Sequence, residues 1–99
     1  MYILFDIGGT KMRIAASVDG ATFSAPVIIP TPQRYDAGMA MLKKKISDFT
    51  KEHQIRAIAG GLAGVFDREK TKILRSPNLL SWEMKPIVEE LMNEFRIPV

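Results

Sequence analysis

The stretch FDIGGTK, Phe5 to Lys11, follows directly on the apolar run Tyr2-Ile3-Leu4 near the start of the chain. A continuous run of apolar, β-forming residues predicts a buried strand, which we expect to end at Asp6. From Lys11 to Val18 the apolar residues occupy alternate positions, which predicts a second strand with one covered face. The two strands would form a hairpin that turns on Gly8-Gly9.

A third strand is expected soon after the second. Asp19-Gly20 is the type of dipeptide that adopts positive φ in a tight hairpin. Thr22 to Ile29 is therefore predicted as the returning strand, and Pro30 and Pro32 stop it. The first three strands would form an antiparallel meander.

Strand and helix patterns alternate in the rest of the chain. We predict a helix over about Tyr35 to His53, a strand over Ala57 to Leu62, a helix that begins around Lys85 or Pro86, and the opening of another strand at Ile97 to Val99. The order β-β-β-α-β-α predicts an α/β fold with a mixed sheet. Three antiparallel strands would be followed by strand-helix units, and the sheet would be incomplete at the C-terminus.

Composition limits the classes of protein to which the chain can belong. It has 99 residues, of which 46% are hydrophobic, and no cysteine, which predicts one small domain without disulfides or thiolate metal sites, in keeping with a cytoplasmic location. The net charge of +3 is spread out, and the basic run Lys43 to Lys45 falls on a helical pattern, so we expect a solvated helix face and no nucleic-acid partner. No apolar run approaches the roughly 20 residues of a membrane span, and we expect no targeting segment.

The glycine turn carries the functional signal. A hairpin that turns on Gly8-Gly9 would expose backbone N–H groups without side chains in the way, and Thr10 and Lys11 would add a hydroxyl and a cation. Asp6 cannot favour a phosphate directly because both are negative, but a Mg²⁺ ion between them, held through water, removes the conflict. The alternative is a plain tight turn with Asp6 as its polar cap.

The residues that form this turn resemble a known family. FDIGGTKMRIAAS, Phe5 to Ser17, is similar to the first phosphate motif of the ROK family (repressor, open reading frame, kinase) of sugar kinases. AIAGGLAGVFD, Ala57 to Asp67, resembles the family's second glycine segment, with Ala63 and Val65 where prolines are common. SPNLLSW, Ser76 to Trp82, and the closing FRIPV resemble further family segments in the right order.

The resemblance implies a ribonuclease H-like lobe of the actin, Hsp70 and hexokinase superfamily, and an ATP-dependent kinase that phosphorylates a hexose hydroxyl. Asp6 would help to hold Mg²⁺, the residues Gly8, Gly9, Thr10 and Lys11 would face the ATP phosphates, and Gly64 and Asn78 would line the sugar side. The partners would be ATP and a hexose.

The resemblance also implies that a catalytic Asp is expected beyond Val99. Residues 1–99 would then be the N-terminal lobe of a sugar kinase, or a fragment of it, without the C-terminal lobe and inactive alone. An exposed sheet edge would favour a homodimer or a strand-paired oligomer. The alternatives are a fragment of a ROK-type sugar-responsive repressor and a stand-alone nucleotide-binding or interaction domain.

Overall fold

The computed structural model describes residues 1–51, 53–76 and 78–99. Its elements are the strands β1 (Tyr2–Ile7), β2 (Lys11–Ser17) and β3 (Val27–Pro30), the helix α1 (Tyr35–Phe49), the strands β4 (Ala57–Leu62), β5 (Val65–Phe66) and β6 (Ile73–Arg75), a short 3-10 helix (Leu80–Trp82) and the helix α2 (Ile87–Phe95). Glu52, inside the predicted first helix, and Pro77, inside the segment Ser76 to Trp82, lie outside the described residues.

The main sheet has four strands in the order β3-β2-β1-β4. β1 pairs with β2 and β2 with β3 in antiparallel fashion, whereas β1 pairs with β4 in parallel. The predicted α/β fold with a mixed sheet is confirmed, with one parallel pair. The register sets Asp6 of β1 opposite Arg13 of β2 and level with Gly61 of β4.

One face of the sheet is buried under both helices. Alternate residues of β1 and β2 point to this face, as the period of two requires, and the helices add residues at helical spacing. The buried residues from these elements are Ile3, Phe5, Ile7, Met12, Ile14, Met39, Leu42, Ile46, Ile87 and Leu91. The other face is open, and on it Leu4 and Ile28 are 44% and 52% exposed. Burial of the helix-facing residues is therefore what fixes the register of the sheet.

The start of α1 and the end of α2 are each closed by a hydrogen bond. The first N–H of α1, at Tyr35, donates to the Ser81 hydroxyl 2.8 Å away, so the 3-10 helix caps α1 from outside. α2 ends at Phe95, and the next residue, Arg96, adopts the left-handed conformation with φ of 56° and donates its N–H to the Met92 carbonyl. Among the described residues, no helix has both the length and the apolar character that crossing a bilayer requires.

The third strand is shorter than predicted. β3 begins at Val27, so the prediction that the strand starts at Thr22 is wrong, and the connection after β2 is an open loop and not a two-residue hairpin. The physical reason is Asp19, whose carboxylate accepts hydrogen bonds from the N–H groups of Ala21 and Thr22 and thereby closes a local turn. Gly20 has φ of 82°, as its place in the pattern predicted.

Three other boundaries differ from the sequence pattern. α1 ends at Phe49 and not near His53, because the Thr50 N–H turns back to the Ser47 carbonyl. β5 and β6 form a small antiparallel hairpin between Leu62 and Lys85, where no strand was predicted. Ile97 to Val99 is not a strand, although the Pro98 carbonyl accepts a hydrogen bond from the Ile58 N–H at 3.0 Å.

Candidate functional site

Asp6 lies near the end of β1 on the open face of the sheet. Its carboxylate is 3.7 Å from the Arg13 guanidinium, and its side chain is 64% exposed. An ion pair as exposed as this one contributes little to stability. On the other side, a Cβ at Gly61 would lie 3.8 Å from the Asp6 carboxylate, so Gly61 leaves that flank open. The carboxylate is therefore accessible to a ligand from solvent.

The predicted turn on Gly8-Gly9 is present. The Gly8 N–H donates to the Lys11 carbonyl at 2.9 Å, directly after the last register pair of the hairpin, Ile7 and Met12. The Gly8 N–H is thus already paired and does not belong to the group of free amides that the sequence suggested. A Cβ at Gly8 would lie 3.2 Å from the same Lys11 carbonyl, so close approach accounts for this glycine.

The carbonyl groups of the turn are tied to the segment before α1. The Gly8 carbonyl accepts from the Thr31 hydroxyl at 2.9 Å, and the Gly9 carbonyl accepts from the Gln33 side-chain amide at 3.2 Å. The chain has no cis peptide bonds among its described residues, and in a trans peptide the N–H points away from the C=O of the same unit. The N–H groups of Gly9 and Thr10 therefore point away from Thr31 and Gln33.

These two amides have no internal hydrogen-bond partner among the described residues. The side chains of Thr10 and Lys11 are exposed beside them. Two amides, a hydroxyl and a cation next to a glycine turn form an arrangement that suits an oxygen-rich anion. Thr31 and Gln33, which orient the turn, were not found from the sequence, because nothing in the pattern linked the loop after Pro30 to the first hairpin.

The second glycine segment is joined to the first by the backbone. The Ala63 N–H donates to the Ile7 carbonyl at 3.0 Å, one residue beyond the last pair of β1 and β4. The Ser76 hydroxyl, whose residue is 1% exposed, donates to the Ala63 carbonyl at 2.6 Å. The turn, the second glycine segment and the start of the Ser76 to Trp82 segment are thus connected by direct hydrogen bonds.

The two residues assigned to the sugar side have different surroundings. Asn78 packs on the turn itself, since a Cβ at Gly9 would lie only 2.7 Å from the Asn78 Cβ. Gly64 packs against β6, since its Cβ would lie 2.5 Å from the Arg75 carbonyl. The absence of a side chain at Gly64 therefore has a packing reason, and Asn78 is the one of the pair that contacts the turn.

The donor set available for a metal ion is small. Within the described residues, no group of three or more His, Cys, Asp or Glu side chains comes together. Asp6 is a single, exposed carboxylate, and Mg²⁺ usually takes one or two carboxylates and completes its shell with phosphate oxygens and water. The residues present therefore fit Mg²⁺ that arrives with a phosphate ligand and do not fit a metal caged by protein alone.

A mixed sheet that is covered by helices on one face and carries two hydrogen-bonded glycine segments at one end of its strands defines an α/β protein. A model of the ROK family matches residues 2–99, and the chain belongs to this family. A glucokinase from Streptomyces coelicolor is 26% identical over 94 residues, which make up 95% of this chain and 29% of that protein. The chain thus spans about three tenths of the length of the curated relatives it matches.

Solved structures have the same fold. A ROK family glucokinase from Streptomyces griseus, in complex with glucose and AMPPNP, has a TM-score of 0.86 at 22% identity over 99% of this chain and 31% of its own. A ROK family transcriptional regulator, a homolog of the E. coli MLC protein, has a TM-score of 0.77 at 20% identity over 99% of this chain and 26% of its own. At these identities the likeness shows the fold alone.

Proposed function

We propose that residues 1–99 are the N-terminal, ATP-phosphate-binding part of an ATP-dependent hexose kinase, a ribonuclease H-like lobe that transfers the γ-phosphoryl group only together with further chain. The observation that carries this proposal is the orientation of the Gly8-Gly9 turn, whose carbonyls are held by Thr31 and Gln33, while the N–H groups of Gly9 and Thr10 have no partner within the described part of the chain. The family, and the glucokinase among its relatives, support a sugar kinase as the parent protein.

Each residue of the turn has a defined part in this proposal. The N–H groups of Gly9 and Thr10 donate to phosphate oxygens, and the Lys11 ammonium offsets their charge. Gly8 contributes close packing of the turn and no donor, because its N–H is paired with Lys11. Phosphoryl transfer depends mostly on positioning and charge neutralisation, so backbone donors on a rigid hairpin are suitable groups for it.

Asp6 would hold Mg²⁺ through water at the open face. The ion would neutralise charge on the phosphates when it is bound. The Arg13 guanidinium, 3.7 Å from Asp6, shares that carboxylate and keeps it from repelling an incoming phosphate. Removal of the Asp6 charge should therefore weaken binding of Mg-ATP more than binding of ATP in the presence of EDTA.

The sugar side is assigned to Asn78 and Gly64 with different roles. Asn78 packs on the turn and can present its side-chain amide to a sugar hydroxyl beside the phosphates. Gly64 allows β6 to approach and so supports the position of Ser76 and Asn78. A general base for the sugar hydroxyl is assigned to chain beyond these residues, so binding without turnover is expected of residues 1–99.

The test is calorimetric titration of the chain with Mg-ATP, beside an assay for glucose phosphorylation. Asp6→Ala should weaken Mg-ATP binding by about tenfold, which corresponds to about 1.4 kcal/mol. Asp48→Ala, which removes an exposed carboxylate from α1, is the matched control and should bind like the parent. Equal affinity in the parent and Asp6→Ala, or turnover by the chain alone, would contradict the proposal.

The second candidate is the body of a sugar-responsive regulator, which the fold of the MLC homolog favours. A regulator of this kind needs a sugar and no nucleotide. Titration with glucose in the absence of nucleotide, beside the titration with Mg-ATP, separates the two candidates. The kinase proposal requires Mg-ATP binding that depends on Asp6, whereas the regulator requires only glucose binding. Glucose binding with no response to Mg-ATP would favour the regulator.

A further inference from the structure

Arg13 is the cation that faces Asp6 across the first hairpin. In the strand register, Arg13 of β2 lies directly opposite Asp6 of β1, and its guanidinium is 3.7 Å from the Asp6 carboxylate. On its other side, Arg13 is level with Ile28 of β3, which carries no charge. Within the described part of the chain, Asp6 has no other ion-pair partner. The negative charge of Asp6 is therefore balanced by Arg13.

The neighbouring cation on the same face of β2 has different surroundings. Lys11 precedes Arg13 by two positions, so the two side chains share the open face of the sheet, and both are exposed. Lys11 flanks the glycine turn, and among the described residues it forms no ion pair with Asp6. The two cations of β2 are thus divided between two tasks, because Lys11 is available to a phosphate while Arg13 is engaged with Asp6.

The ion pair between Asp6 and Arg13 is weak enough to be replaced. Both side chains are more than half exposed, and pairs with this exposure contribute little to stability. Mg²⁺ carries two charges and prefers carboxylate oxygens, so it would compete with the guanidinium for Asp6, directly or through water. Asp6 therefore has two alternative counter-charges, which are the Arg13 guanidinium in the absence of metal and the metal ion when it is bound.

We propose that Arg13 determines how strongly nucleotide binding at the turn depends on a metal ion, an inference that rests on the proposed function. A carboxylate without a counter-charge repels an approaching phosphate, whereas a carboxylate paired with a guanidinium has no net charge and repels it much less. Arg13 thereby allows the turn to bind nucleotide without metal. It is a positioning residue that acts through Asp6, and without it the binding of nucleotide requires the metal.

The first experiment is calorimetric titration of the 99-residue chain with ATP in EDTA and with Mg-ATP. Arg13→Ala should weaken binding of metal-free ATP by about tenfold and change binding of Mg-ATP by less than about threefold, because the metal then neutralises Asp6. Arg13→Lys keeps the charge and should restore most of the affinity for metal-free ATP. Arg56→Ala is the matched control, because it removes the same charge just before β4, at the opposite end of the sheet, where Ala57 is level with Tyr2. It should change either affinity by less than about twofold.

The second experiment repeats Arg13→Ala in an Asp6→Ala background. No carboxylate is left to neutralise there, so the loss of affinity for metal-free ATP should shrink to less than about threefold. Equal losses in both backgrounds would show that the guanidinium acts on the phosphate directly and would overturn the inference.

The outcomes separate this inference from the proposed function. Mg-ATP binding that depends on Asp6, combined with no binding of metal-free ATP by the parent chain or with equal losses in Arg13→Ala with and without metal, would overturn the role of Arg13 alone. No binding of either ligand by the parent chain would overturn both.

Discussion

The backbone of Gly9 lies directly against the side chain of Asn78, and a Cβ at Gly9 would come within 2.7 Å of the Asn78 Cβ. Gly20 is the one glycine of the described chain with positive φ, so close approach and not backbone conformation requires a glycine at position 9. The first and last motifs of the candidate site are therefore coupled through one contact.

Gly9→Ala should disturb the candidate site at this contact. The added methyl group forces Asn78 or the turn to move, which should lower the free energy of unfolding by about 1–3 kcal/mol and weaken Mg-ATP binding by about tenfold. Thermal unfolding and calorimetry measure the two effects. Gly61→Ala is the control for the unfolding measurement only, because its methyl group would be in ordinary contact, 3.8 Å from the Asp6 carboxylate.

The contact can be tested further with a double variant. Asn78→Gly removes the atom that the new methyl group would meet, so Gly9→Ala should cost less stability in that background than alone. A coupling of at least about 0.5 kcal/mol is expected for residues in contact. Additive effects of the two substitutions would show that the cost at Gly9 does not arise from Asn78.

Ser76→Ala should remove the hydrogen bond that joins the second glycine segment to the residue after β6. The buried hydroxyl donates to the Ala63 carbonyl at 2.6 Å, and its loss leaves that carbonyl without this partner. The expected cost is about 1–3 kcal/mol in denaturant unfolding. Ser24→Ala removes an acceptor of the Ala16 N–H at an exposed residue and should cost less. Equal denaturant concentrations at the unfolding midpoint for Ser76→Ala and the parent chain would contradict the assigned role of this hydrogen bond.

The elements that the sequence predicted well are those with a strong periodic pattern. The strand over Ala57–Leu62 is confirmed with its predicted bounds, and the first hairpin turns where Gly8-Gly9 predicted. β5 and β6 were not predicted, because strands of two and three residues are too short for a period to be visible. The third strand was predicted five residues too early, because hydrogen bonds to the Asp19 carboxylate outweighed the β-propensity of the residues after it.

The candidate site could be predicted only in part, because some of its contacts join residues that are far apart in the sequence. Local sequence identified the turn and the residues that flank it. Thr31 and Gln33, which orient the turn, and Asn78, which packs on it, approach through tertiary contacts between residues 23 to 69 positions apart. Contacts over such separations leave no periodic trace in a single sequence. The free amides of Gly9 and Thr10 could be assigned only from the structure.

Gly38→Ala should destabilise the chain although alanine is the better helix former. The ring of Trp82 occupies the space in which a Cβ at Gly38 would lie. Helix propensity favours the substitution by about 1 kcal/mol, whereas overpacking of a filled core typically costs about 1–3 kcal/mol. We expect a net loss in thermal unfolding that is smaller in a Trp82→Phe background, which removes part of the ring. A stabilised Gly38→Ala variant would contradict the packing of Trp82 on α1.

Asp19 should make the loop between β2 and β3 sensitive to acid. Hydrogen bonds from the N–H groups of Thr22 and Ala21, followed by the Ser17 hydroxyl, lower the pKa of its carboxyl from 3.8 to about 2. A carboxyl whose pKa is lower in the folded state contributes stability that is fully present above the unfolded pKa and is lost as the pH falls through the folded pKa. Urea unfolding of the parent and Asp19→Asn should therefore differ by a constant amount above about pH 4, and the difference should shrink from there to pH 2. Asp19→Ala removes the acceptor as well as the charge, so it should stay less stable than Asp19→Asn throughout this range. A difference between the parent and Asp19→Asn that does not change with pH would show that these hydrogen bonds do not favour the ionised carboxylate.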